Sequence, residues 1–70
     1  MDDIYKEKSR EYCRQLAAIA LQKKITHDVI SERTNFKRSN VTRMLSGRYS
    51  PTLENFIKLC EAVDATITVK

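Results

Sequence analysis

Five basic side chains with no acid among them fall between positions 33 and 50: Arg33, Lys37, Arg38, Arg43 and Arg48. Elsewhere the charges nearly cancel. Residues 1–22 carry four of each sign, 23–32 two of each, and 51–70 two bases against three acids. The whole formal surplus of +4 is therefore lodged in one short stretch. A pI near 9.3 alone says little, but basic charge gathered on one element is the footprint expected for a polyanion such as nucleic acid. The bland alternative is an ordinary solvated face, which usually mixes signs.

Other chemistry finds little support. His27 is the only histidine, and no base–nucleophile pair forms around it. Cys13 and Cys60 with one His make a poor zinc set, since zinc needs three or four ligands at closer spacing. A single glycine rules out a glycine-rich phosphate loop. The acids are scattered over helix surfaces, with nothing to raise their pKa values. No enzyme, metal site or cofactor is expected. The two cysteines read as reduced, buried thiols of an intracellular protein, with one disulfide as the open alternative.

Seventy residues make one domain with a marginal core, so association between copies is a natural source of stability. The charged N-terminus lacks the apolar run of a signal peptide. The longest apolar run, Leu16 to Leu21, is too short to span a bilayer. A cytoplasmic protein without a membrane partner is expected.

The elements that must carry the basic stretch follow from periodicity. A first helix should run from Asp2 or Asp3 to about Lys24, with Tyr5, Tyr12, Leu16 and Ile19 as its buried stripe. From Leu16 to Leu21 it is apolar nearly all round, which calls for cover by neighbouring helices, a partner subunit or the C-terminal segment. Thr26 should cap a second helix that ends near Thr34. Asn35 then takes a left-handed turn, and Phe36 plugs the space between helices. A third helix from about Arg38 to Ser46 puts Val41, Met44 and Leu45 on one face. Arg38, Ser39, Thr42 and Arg43 fall on the other, which carries no acid of its own. Gly47 ends it. Pro51 and Thr52 open a fourth helix with a wide apolar arc from Leu53 to Val63, and Asp64 turns the chain out. Residues 65–70 switch to a strand-like alternation, and a lone strand must pair with something.

The expectation is an all-α single domain over 1–70. It has four to five helices, a helix-turn-helix core at about 26–47 and a short C-terminal β-strand at about 65–70. Residues Leu16 to Val63 resemble the helix-turn-helix domain of the phage repressor/Cro and xenobiotic-response-element regulator family. The resemblance rests on the Thr26 cap, the Asn35-Phe36 turn, the Lys37-to-Arg43 opening of the third helix, Gly47-Arg48, and Ser50-Pro51-Thr52-Leu53. It implies a bacterial or phage-derived regulator binding double-stranded DNA, with the third helix as recognition helix.

Carried onto this chain, the resemblance assigns base readout to Arg38, Ser39, Thr42 and Arg43. It assigns backbone contacts to His27, Lys37, Asn40 and Arg48. Three departures matter. Asn35 and Asp64 replace usual glycines. Ala20 and Leu45 replace an Arg–Glu pair often present, a swap that is frequently neutral for stability. The C-terminal strand replaces a common fifth helix.

Physical chemistry agrees in kind, because a helix fits the major groove and Arg can bond guanine bidentately. A two-fold homodimer joined through Leu21, Leu59, Ile67 and Val69 would read a palindromic operator with half-sites roughly 34 Å apart. It would repress by occluding a promoter. The alternative of another class is an antitoxin whose helical surface neutralises a toxin and which also binds its own operator. A helical bundle without DNA affinity is the third.

Overall fold

The computed structural model describes residues 2–65, which form four α-helices: α1 (Asp2–Gln22), α2 (His27–Thr34), α3 (Arg38–Leu45) and α4 (Leu53–Ala62). Two of their starts are hydroxyl caps. Thr26 and Thr52 are extended, and their Oγ1 atoms accept from the amides of Val29 (3.3 Å) and Asn55 (3.2 Å).

Three of the four helix ends share one device. After α1, Lys24 N–H donates to the Leu21 carbonyl and Ile25 N–H to that of Ala20. Gly47 and Arg48 repeat the pattern after α3, and Asp64 and Ala65 after α4. Each needs one left-handed residue, supplied by Lys24 (φ 60°), Gly47 (φ 76°) and Asp64 (φ 56°). Asn35 (φ 64°) ends α2 and donates to the Ser31 carbonyl, as its side-chain type predicts.

The last carbonyls of α4 also receive cations. Lys23 Nζ donates to Val63 O (2.9 Å) and Asp64 O (2.8 Å), and the Arg33 guanidinium donates to Ala62 O (2.7 Å). Positive charge there suits the negative end of the helix dipole.

Ile30, Val41, Leu59 and Val63 are completely buried at the centre of one apolar cluster, with α2 packed on α3 and α4. Ala20 and Leu45 are both buried in that cluster, so apolar side chains stand where the resemblance leads one to expect an ion pair. Phe36 is half-buried against the same core, with the Lys58 ammonium 5.7 Å from its ring centroid.

The buried stripe of α1 is corrected. Leu16 is buried and Ile19 packs on the core as expected, joined by Cys13 and Ala20, whereas Tyr5 and Tyr12 are 68% and 51% exposed. The reason is length: 21 residues of helix span about 31 Å, and helices of eight to ten residues cannot cover that. Among the described residues the neighbouring helices leave Leu21 80% exposed. The C-terminal strand expected at 65–70, with Ile67 and Val69, lies outside the described residues apart from Ala65.

Candidate nucleic-acid interface

Burial on one side of α3 dictates what its other side presents. Val41, Met44 and Leu45 are held in the core, so Arg38, Ser39, Thr42 and Arg43 are all exposed together. The α2–α3 turn fixes the angle. Ser31 Oγ donates to the Phe36 carbonyl, Phe36 N–H donates to Thr34 Oγ1 (3.2 Å), and Thr34 Oγ1 donates to Ile30 O (2.7 Å). Lys37 is extended at the start of α3, its side chain makes no cap, and the first turn holds no acid.

Three of the four front residues are engaged by neighbours. Thr42 Oγ1 lies 3.0 Å from His27 Nδ1, so the first residue of α2 touches the middle of α3. The Arg38 Nε lies 2.7 Å from the Asp28 carboxylate, as an ion pair. The Arg43 guanidinium sits 5.5 Å from the centroid of the Tyr49 ring, a cation–π stack that restricts where the side chain can swing.

Asp28 corrects the acid-free front: no acid lies near in sequence, but α2 delivers one in space. Asp28 reads in the sequence only as a favourable charge in a first helical turn. Its pairing with Arg38 depends on the left-handed step at Asn35. Tyr49 gives no periodic signal either, because the chain reverses at Gly47 before reaching it.

Of the residues assigned to backbone contacts, Lys37, Asn40 and Arg48 are exposed around this front, and His27 is half-buried beside Thr42. Arg33 belongs elsewhere, since its guanidinium is held at the end of α4 with the Asp64 carboxylate 3.7 Å away. The basic face therefore comprises Lys37, Arg38, Arg43 and Arg48. It offers a row of N–H and O–H donors at the width of one helix, which matches the acceptors of a major groove.

Of the residues assigned to a dimer, Ile67 and Val69 lie outside the described residues. Leu21 is exposed on α1, but Leu59 is wholly buried and has no surface to offer, because α4 turns it inward against α2. The outward apolar residues of α4 are instead Leu53, 71% exposed, and Ile57. Leu53 joins Tyr5, Tyr12 and Phe56 along an open groove between α1 and α4. Cys13 and Cys60 are both free and buried. Burial pushes both thiols above their ordinary value of 9.0, and the charge of Cys60 adds to the rise at Cys13. Among the described residues no three His, Cys, Asp or Glu groups converge as a metal site, and no helix is long and apolar enough to cross a membrane.

A family model described as helix-turn-helix, of the Cro/C1 type, matches residues 16–69, well over half of the chain. No curated protein and no solved structure matches it.

Proposed function

Because the chain belongs to the Cro/C1-type helix-turn-helix family of sequence-specific DNA-binding transcriptional regulators, we propose that it is a repressor reading its operator through α3. Arg38, Ser39, Thr42 and Arg43 meet base edges in the major groove. His27, Lys37, Asn40 and Arg48 hold the flanking phosphates. The observation that carries this reading is the exposed front of α3, basic and donor-rich, set on a fully buried back.

One eight-residue helix reads only a few base pairs. A homodimer on a palindrome doubles the readout, with half-sites roughly one helical turn apart. Bound there, it occludes a promoter. The exposed apolar residues of α1 and α4 support a second reading, in which an antitoxin-like surface takes a toxin while α3 binds DNA.

Selection of bound duplexes from a random pool at about 150 mM salt, which suppresses weak charge-driven binding, tests the proposal. The expected product is a palindrome, bound by two chains per duplex when its mass in solution is measured. A pool that stays random contradicts readout by this chain, and one chain per selected duplex contradicts the dimer.

A further inference from the structure

We propose that Asp28 is a specificity-determining residue: it positions Arg38 for base readout and penalises binding driven by phosphate charge alone. The inference rests on the reading of Arg38 as a base contact. Its ground is the geometry between two helices. Asp28 stands in the first turn of α2 and Arg38 is the first residue of α3, with Oδ1 and Nε 2.7 Å apart. The hydrogen bonds through Ser31, Thr34 and Phe36 fix the turn between them. The neighbouring His27 reaches Thr42 one turn further along α3. Two consecutive residues of α2 thus hold two front residues of α3.

A guanidinium carries five N–H donors, one on Nε and four on the two Nη atoms. The Asp28 carboxylate lies against the Nε side of the guanidinium, so it obstructs a side-on approach of Nε and Nη to a base. The end-on pair of Nη1 and Nη2 stays open, and that pair matches O6 and N7 of guanine. Arg38 can therefore keep Asp28 and a guanine at once. A phosphate contact is different, because the duplex brings its anionic backbone up to the Asp28 carboxylate wherever Arg38 leaves it. The acid consequently lowers affinity for sequences on which Arg38 leaves it for phosphate and spares those where the base lets Arg38 stay, which is discrimination by an unfavourable element. The pair is solvent-exposed, and such pairs contribute little to folding. Its effect belongs to DNA choice.

The test compares wild type, Asp28→Ala, Asp28→Asn, Arg38→Ala and the Asp28→Ala/Arg38→Ala double variant over one shared series of salt concentrations. Each is titrated on the selected operator, on operators with single base-pair changes, and on a scrambled duplex. The base pair where Arg38→Ala loses discrimination is the one Arg38 reads. At that pair Asp28→Ala should discriminate on the order of tenfold less. It should also bind the scrambled duplex several-fold tighter, with a steeper salt dependence. Asp28→Asn, which preserves the shape and the acceptor, should fall between. In the Arg38→Ala background, removing Asp28 should leave discrimination at that pair unchanged. Full discrimination by Asp28→Ala, beside a loss in Arg38→Ala, overturns the role of Asp28 alone. Full discrimination by Arg38→Ala overturns the readout assignment and this inference with it.

Discussion

Arg43 shows how an exposed side chain can be made ready for binding. Its guanidinium lies against Tyr49, so part of its rotamer freedom is already gone before any ligand arrives. Arg43→Ala should remove about 1–3 kcal/mol of discrimination at one base pair, read from titrations on matched and single-change operators. Arg43→Lys should behave almost as badly, because an ammonium has no planar fork to stack or to bond bidentately. Lys37→Ala should act differently, weakening all duplexes alike and lowering the salt slope by about 1. The front residues themselves were legible in the sequence, since Val41, Met44 and Leu45 repeat at helical spacing and leave Arg38, Ser39, Thr42 and Arg43 opposite. Asp28 and Tyr49 were not legible as their partners. Both contacts span turns, and no repeat in residue type reports how a turn aims its flanking helices.

At the scale of elements, the boundaries are set by single residues. Gly47 has φ +76°, and a Cβ there would lie 2.5 Å from Arg14 Nη1 and 3.4 Å from the Arg10 carbonyl. The arginine tip can move, but the backbone conformation still opposes a side chain. Gly47→Ala should cost about 1–2 kcal/mol, seen as a lowered midpoint in thermal unfolding by circular dichroism. Thr26→Ala and Thr52→Ala should each cost about 1 kcal/mol in the same assay. An unchanged midpoint in any of the three would contradict the capping account. These turns differ in legibility. Asn35 and Gly47 are residue types that advertise a left-handed step, whereas Lys24 adopts one with no such signal. The tyrosines of α1 misled for another reason: helical spacing marks a face but does not say how far the neighbouring helices extend along it.

For the whole molecule, the two thiols report on core integrity. An unfolded chain releases the Cys13 and Cys60 protons near their ordinary value of 9.0, while the folded chain retains them to higher pH. Their raised values therefore leave stability complete below about pH 9 and diminish it as the pH climbs towards the folded values. Thermal midpoints should be flat with respect to these groups from pH 7 to 8 and fall above 9. The fall should be shallower in a Cys13→Ala/Cys60→Ala variant, and equal slopes would contradict the assignment. Thiol reagents should label neither cysteine until the chain unfolds. The helical architecture was readable because four amphipathic patterns and their caps agree with one another. The surface for a second copy was less so, for Leu59 lies on an apolar arc too wide for sequence alone to divide into core and surface.

If α3 serves as the recognition helix, its exposed front distinguishes base sequence rather than merely attracting DNA. The most direct measurement is the ratio of affinities for the selected operator and a scrambled duplex at about 150 mM salt, taken for wild type and for Arg43→Ala. The expected ratio is roughly a thousandfold or more for wild type, sharply reduced in the variant while scrambled-duplex binding falls only modestly. A wild-type ratio near one, or a ratio untouched by Arg43→Ala, would contradict it.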